Sequence, residues 1–257
     1  MAEPILSVRG LSRGFGAIQA VDDVTLDIRA GSITGLIGPN GAGKSTLFNL
    51  MSGALPPSAG RVLLEGREVT GLGPDRLFAM GLGRTFQIPR PFARMSVLEN
   101  VMLAPMAQAG ERVWGPFLSS GAVRRQERHI REKAMNVLAF VTLDHLADHA
   151  AGMISGGQKK LLELARVLMG DPRIILLDEP AAGVNPVLTN VLIERIEELN
   201  RRGKTFVIVE HDMDFVMQHC DPVIALAQGR VVFQGTAEEA QADPTLLDAY
   251  LGAQAGA

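Results

Sequence analysis

The apolar positions of this chain follow two rhythms. Short alternating or β-branched runs set off by Gly or Pro turns occur at residues 5–9, 24–28 and 61–64, and a compact apolar run occurs at 33–37. Such runs predict strands. From about Lys44 onward, Leu47, Leu50 and Met51 recur at helical spacing, so a helix is expected soon after the run "ITGLI" ends at Gly38. Residues 83–87, "GRTFQ", read as a further strand. The rhythm then changes. Between about 88 and 155 no strand pattern occurs, and Pro89, Pro91, Pro105 and Pro116 interrupt the first half. Residues 105–121 read as an irregular loop. Ile130, Ala134, Val137, Leu138 and Val141 then share one face of a long helix. This stretch is expected to be a helical insertion.

Beyond residue 158 the rhythms alternate. The pattern predicts helix 159–169, strand 173–177, helix 187–201, strand 205–209, helix 212–219 and strand 222–227. A turn at Gln228-Gly229, a strand at 230–235 and a terminal helix follow. Helices that alternate with wholly apolar strands predict a parallel sheet covered on both faces.

Composition narrows the classes. The 257 residues suit one large α/β domain or two small ones, and 47% apolar content supports a substantial core. The net charge of −3 gives no bulk attraction to nucleic acid, which is not expected as a partner. One cysteine, Cys220, excludes an internal disulfide and fits a reducing compartment. The N-terminus lacks a charged-then-apolar leader. No apolar run approaches the ~20 residues of a membrane helix. A soluble, cytoplasmic chain is expected, one that meets a membrane through a partner.

Two places carry anion chemistry. The first is "GPNGAGKST", Gly38 to Thr46, a full phosphate-loop pattern between a strand and a helix. Its glycines let several backbone N–H groups converge on one phosphate, and the following helix adds its positive dipole end. Asn40, Gly41 and Gly43 form the loop. Lys44 is expected to neutralise β- and γ-phosphate charge, Ser45 to ligate Mg²⁺, and Thr46 to lie near the α-phosphate. The buried run "RIILLDEP" supplies the acids. Asp178 at its end is placed to hold Mg²⁺, and Glu179 to act as general base or to orient water. An adjacent acid pair in isolation is more often a solvated turn, but the end of a buried strand is a poor place for one.

The second is "ISGGQKK", Ile154 to Lys160, a Ser-Gly-Gly turn opening an apolar-periodic helix. Taken alone it reads equally well as a plain helix cap with Ser155 near the N-cap. Together with "GPNGAGKST", Gln87 in "TFQIP", "IILLDEP", "AAGVNP" and His211 in "VIVEHDM", it resembles the ATP-binding subunits of ABC transporters over almost the whole chain. The resemblance implies an α/β fold with a P-loop NTPase core and a mostly parallel sheet. It implies an N-terminal antiparallel β subdomain and an inserted helical subdomain at about 88–155, within one nucleotide-binding domain spanning 1–257. It implies ATP and Mg²⁺ as ligands and a head-to-tail dimer, in which Ser155 and Gly157 reach the γ-phosphate held by the partner. Gln87 resembles the glutamine that reaches Mg²⁺ and the attacking water. His211 resembles the histidine that contacts the γ-phosphate, and Phe15 in "SRGFGAIQAV" resembles the aromatic that stacks on adenine.

Ile154 stands where Leu is usual, and Asn185 stands where Asp is common in the wider family. Asn keeps hydrogen-bonding capacity and loses the charge. "DEPAAGVNP", "ELAR", the loop after "FARMSVLENVMLA" and "AYLG" resemble the ATPases of branched-chain amino-acid uptake systems and their relatives for urea or short amides. That resemblance implies transmembrane permease subunits and a second ATP-binding subunit, identical or paralogous. It implies, indirectly, a periplasmic substrate-binding protein, and a peripheral location on the cytoplasmic face of a bacterial inner membrane. The Met and Phe residues around 86–106 read as core or as the lining of a groove for a coupling helix. Arg124, Arg125, Arg128, Arg131 and Lys133, with Glu127 and Glu132 between them, read foremost as a solvated helix face. The rival readings are a lipid or lipopolysaccharide exporter ATPase, a soluble superfamily ATPase of DNA repair or translation, and a small-molecule P-loop kinase. The last has no need of "SGGQ".

Overall fold

The structure is a computed structural model that describes residues 3–85, 89–104, 120–243 and 246. The chain falls into two compact units. The first comprises Met1–Arg84, Arg173–Pro180 and Ile196–Ala257; the second comprises Thr85–Pro172 and Ala181–Arg195.

The first unit holds two sheets. β1 (Pro4–Phe15) and β2 (Ile18–Arg29) form a long antiparallel hairpin that β4 (Ala59–Leu64) and β5 (Arg67–Glu68) extend in the order β2-β1-β4-β5. Both hairpin strands run well beyond the 5–9 and 24–28 cores expected from pattern. The reason is a set of register shifts between Val8 and Gly14, which break the two-residue alternation. The second sheet contains β3 (Ile33–Ile37), β6 (Leu82–Arg84), β7 (Ile174–Asp178), β8 (Thr205–Val209), β9 (Val223–Ala227) and β10 (Arg230–Gly235). Its order is β10-β9-β3-β8-β7-β6, parallel except for the β9–β10 hairpin. β7 and β8 are buried at every residue, as near-continuous apolar runs are when both faces of a sheet are covered. Edge strand β10 alternates between exposed and half-buried positions. Gln228 and Gly229 both have positive φ in the hairpin turn. Helix α1 (Lys44–Met51) buries Leu47, Phe48, Leu50 and Met51, which join residues of both sheets in one apolar core. α2 (Pro74–Ala79) precedes β6.

The second unit is helical. α3 (Val97–Met102) begins in a capping box between Ser96 and Glu99. Fully buried Asn100 accepts from the Phe92 amide at 2.8 Å and donates to the carbonyls of Phe92 and Ser96, which fixes the loop before α3. α4 (Ser120–Phe140) buries Ile130, Ala134 and Leu138, the face expected from periodicity, and Val141 follows buried. Of the segment expected as a loop at 105–121, residues 105–119 lie outside the described residues, and Ser120 already belongs to α4. Arg124, Arg125, Arg128 and Arg131 are exposed. Lys133 instead donates to the Met169 carbonyl at 2.8 Å. α5 (Gly156–Leu168) follows the Ser-Gly-Gly turn, and α6 (Pro186–Arg201) follows the acid pair of β7, beginning in the second unit and belonging to the first from Ile196 onward. α7 (Met213–His219) and α8 (Ala237–Ala242) belong to the first unit.

Candidate functional site

Three neighbouring parallel strands, β3, β8 and β7, end on the same edge of the sheet. Open α/β sheets bind ligands at the carboxyl ends of their strands. β3 delivers Gly38 and the loop to Lys44. β7 delivers Asp178 and Glu179. β8 delivers Glu210 and His211, with Val209 paired opposite Asp178. The Glu179 amide also donates to the Val209 carbonyl at 2.9 Å, which ties the two strand ends together.

The loop at the end of β3 wraps around its own lysine. The Lys44 ammonium donates to the carbonyls of Gly38 at 2.6 Å and Pro39 at 3.0 Å. Burial lowers the Lys44 pKa from the ordinary lysine value, while Glu179 first and Asp178 second push it back up. Asn40, Gly41 and Ser45 are exposed, and Thr46 is half-buried. The N-cap of α1 is Gly43, with no side chain capping the helix. Glycine at the N-cap offers no side-chain oxygen to the first backbone N–H groups of α1, which suits an anion.

The acids differ in setting. Asp178 is 7% exposed, whereas Glu179 is half-buried. Glu179 has φ +46, a conformation costing a non-glycine residue about 1–3 kcal/mol and concentrated at functional sites. A buried carboxylate oxygen and the Ser45 hydroxyl are hard donors of the kind Mg²⁺ takes alongside substrate phosphates. His211 is 62% exposed on its imidazole side, directly after Glu210, which is 1% exposed. The His211 amide donates to Glu210 Oε2 at 3.3 Å, and the imidazole Nδ1 lies 3.6 Å from the same oxygen.

Phe15 closes β1 at the tip of the hairpin and is 48% exposed. The Arg13 guanidinium lies 5.2 Å from its ring centroid, which leaves a partly exposed aromatic backed by a cation. Gln87 lies outside the described residues. Ser155 and Gly157 belong to the second unit. Ser155 is the N-cap of α5. Its hydroxyl accepts from the Gln158 amide at 3.3 Å, and its own amide donates to Gln158 Oε1 at 2.8 Å. The capping geometry uses a lone pair of that hydroxyl and leaves its proton to donate elsewhere. A Cβ on Gly157 would stand 2.8 Å from Leu188 and 2.9 Å from Val184, so the turn packs closely against the start of α6. Asn185 accepts from the Leu188 amide at 2.9 Å and caps α6. An amide in place of the commoner carboxylate does this work equally well.

Two side chains at this edge escaped the pattern reading. Arg84, at the end of β6, packs its guanidinium 3.8 Å from Asp178 and 4.8 Å from the ring centroid of Phe48. Glu210 lies buried under His211. Each had a signal: a charge embedded in or ending an otherwise apolar strand, "GLGRT" and "TFVIVE".

Comparison with known proteins gives consistent findings. A family model described as "ABC transporter" matches residues 21–182. The "Probable branched-chain amino acid transport ATP-binding protein LivG" of Archaeoglobus fulgidus is 43% identical over 97% of this chain and 96% of its own length. The "High-affinity branched-chain amino acid transport ATP-binding protein BraF" of Pseudomonas aeruginosa is 38% identical over 98% of this chain and 99% of its own length. Among solved structures, an ATP-binding cassette of an ABC transporter in its ADP conformation superposes with TM-score 0.84 at 36% identity, covering 98% of this chain and 100% of that one. A dimeric cassette in a post-hydrolysis state with ADP and Pi bound gives TM-score 0.74 at 25% identity, covering 90% and 98%.

Proposed function

Because this chain belongs to the ABC transporter family of ATP-binding proteins, we propose that it is the ATP-hydrolysing subunit of a complex that imports branched-chain amino acids. The single observation that carries the hydrolytic half is the meeting of Lys44, Asp178, Glu179 and His211 at the ends of adjacent strands β3, β7 and β8. The names of relatives that match this chain along nearly their whole length support the cargo.

The triphosphate enters the Gly38–Thr46 loop, and Lys44 leaves the Gly38 and Pro39 carbonyls to meet the β- and γ-phosphates. The backbone amides of Asn40, Gly41 and Gly43 and the side chain of Thr46 complete the cradle, and the Phe15 ring carries the base. Ser45 and Asp178, joined by Gln87, are the residues that would hold Mg²⁺, which would supply charge neutralisation on the phosphate oxygens. Glu179 takes the proton of the attacking water, and His211 orients that carboxylate and contacts the γ-phosphate. Such a base contributes about 10²–10⁴-fold to turnover.

One copy completes only half of each pocket. Ser155, with its hydroxyl proton, and the N-terminal amides of α5 at Gly157 are lent to the γ-phosphate of a second ATP-binding subunit, identical or paralogous. A phosphate gripped from both sides holds the pair closed, and its loss lets them part. Permease subunits in the membrane convert that cycle into transport, and a substrate-binding protein delivers the cargo on the far side. Among the described residues no helix is long and apolar enough to cross a membrane. The chain works from the cytoplasmic face of the membrane, the side on which ATP is supplied.

The test is a reconstituted complex of this chain with its permease subunits. Glu179→Gln is expected to bind ATP normally, accumulate a closed dimer and lose at least ~100-fold of turnover. Unchanged turnover would remove Glu179 from its role. Vesicles that take up no leucine, isoleucine or valine in response to ATP would remove the cargo assignment while leaving the hydrolase intact.

A further inference from the structure

Arg13 is a cation to which the mechanism above gives no part, yet it lies against the ring that carries the base. It stands two residues before Phe15 in β1, and residues two apart in a strand share a face. Register shifts against β2 fall on both sides of it, and irregularities of this kind re-aim a side chain. Nη1 donates to the Pro56 carbonyl at 3.2 Å, in the loop that follows α1. The guanidinium carbon lies over the Phe15 ring, 5.2 Å from its centroid. Nε is buried and has no hydrogen-bond partner. Among the described residues no carboxylate pairs with Arg13.

The two residues are held to different degrees. The backbone beside Arg13 is fastened to the next strand: Ser12 pairs with Ala59, and the Ser58 amide donates to the Ser12 carbonyl at 2.8 Å. Phe15 stands at the hairpin tip and is half exposed. Gly16 follows it with φ +60, where a Cβ would meet nothing within 4 Å. A cation within about 6 Å of a ring centroid is attracted to the ring's face. Arg13 thereby takes one face of Phe15 and leaves the other for a base. Its charge matters to that base. Aromatic faces are negative, so two of them in direct register repel. A guanidinium behind the ring offsets this repulsion from the far side. The tether on Pro56 also links the ring to α1, the helix that begins at the phosphate loop.

Resting on the ATPase reading, in which Phe15 carries the base, we propose that Arg13 is a positioning residue for the nucleotide: tethered to Pro56, it backs one face of Phe15 and fixes the other as the surface on which the base stacks. It acts on the base through the ring and not on the phosphates.

The experiment uses the full chain, with ADP and inorganic pyrophosphate as probes. Isothermal titration calorimetry gives the ADP affinity. Displacement of ADP gives the affinity for pyrophosphate, which offers phosphates without a base. Arg13→Met keeps an apolar stem beside the ring and removes both charge and tether. Its ADP affinity is expected to fall about fivefold, the scale of one cation–π contact at a half-exposed site. Its pyrophosphate affinity should stay within about twofold. Phe15→Ala should itself lose at least about fivefold for ADP. In that background Arg13→Met should change ADP affinity by less than about twofold, because the ring through which it acts is gone. Arg13→Lys keeps a cation and a donor for Pro56, and should hold ADP affinity within about twofold of the wild type. Equal losses for ADP and pyrophosphate in Arg13→Met overturn the proposal, since the arginine then acts on phosphate or on the fold. So does an unchanged ADP affinity, or a loss that persists beside Phe15→Ala. A loss in Arg13→Lys equal to that in Arg13→Met refutes a role carried by charge. If Arg13→Met does not fold, Arg13→Gln, which keeps a donor for the Pro56 carbonyl, takes its place under the same outcomes. Phe15→Ala with unchanged ADP affinity overturns the placement of the base on this ring. A wild-type chain that binds neither ADP nor pyrophosphate overturns the ATPase reading itself.

Discussion

Two glycines of the phosphate loop offer a paired test of why the loop has its sequence. Gly41 has φ +81 and Gly43 has φ +99, so alanine is strained at both. The left-handed conformation costs a side-chain-bearing residue about 1–2 kcal/mol. The surroundings differ. A Cβ on Gly41 meets nothing within 4 Å, whereas a Cβ on Gly43 lies 2.2 Å from the Ala20 carbonyl oxygen and 3.3 Å from Gly229 Cα. That oxygen is about 1 Å closer than an ordinary C···O approach. It belongs to the backbone of β2, so no side chain can rotate to relieve the clash. Gly229 is no freer, because its amide donates to the Ala42 carbonyl at 3.0 Å. Gly41→Ala should therefore lower the nucleotide-free melting temperature by ~2–8 °C, at ~2–4 °C per kcal/mol for a chain of this size. Gly43→Ala adds backbone distortion worth a few kcal/mol and should lose more than ~10 °C. It should also lose measurable nucleotide affinity, because the displaced loop is the cradle. Differential scanning calorimetry without nucleotide gives the first comparison, and a fluorescent ATP analogue gives the second. Equal losses for the two variants, or a smaller loss for Gly43→Ala, would refute the argument that contact with β2 selects glycine there.

Three further outcomes follow from the same geometry. Lys44→Ala should lose at least ~100-fold in nucleotide affinity while shifting the nucleotide-free melting temperature by only a few degrees, since its loop bonds trade against burial of the charge; equilibrium binding and calorimetry separate the two. Asn185→Ala should cost about 1 kcal/mol by removing the α6 cap, and Asn185→Asp should cost less because a carboxylate also caps and suits the helix dipole; a denaturant midpoint that ranks them otherwise contradicts the cap. The Cys220 thiol is pushed up to about 12, first by burial and then by Glu210. Its unfolded counterpart loses a proton near the ordinary value of 9.0. The unfolded state therefore binds fewer protons above pH 9, and stability is present below that pH and falls toward pH 12. By pH 10 the loss is about 1.4 kcal/mol relative to pH 8, and Cys220→Ala should lack this component. Urea titrations at both pH values, wild type against variant, check it.

Local chemistry explains what was legible without coordinates. β7 and β8 stand out as near-continuous apolar runs because both faces are covered. α1 and α4 stand out because burial of one face imposes helical spacing. The phosphate loop stands out because only glycine tolerates its backbone. The full length of β1 and β2 did not, because register shifts scramble alternation. Nor did the double meaning of Ser155, whose hydroxyl caps α5 and still keeps a proton to offer. The composition and order of residues by themselves determined an α/β ATPase core with a helical insertion, and the side chains that the motifs mark. Tertiary structure alone decided that β3, β8 and β7 lie side by side, so that residues far apart in the chain share one edge. It alone brought Arg84 to Asp178, and Glu210 beneath His211. Strand order is written in hydrogen bonds between distant segments, and those bonds use backbone groups that every residue shares, so no local pattern can announce them.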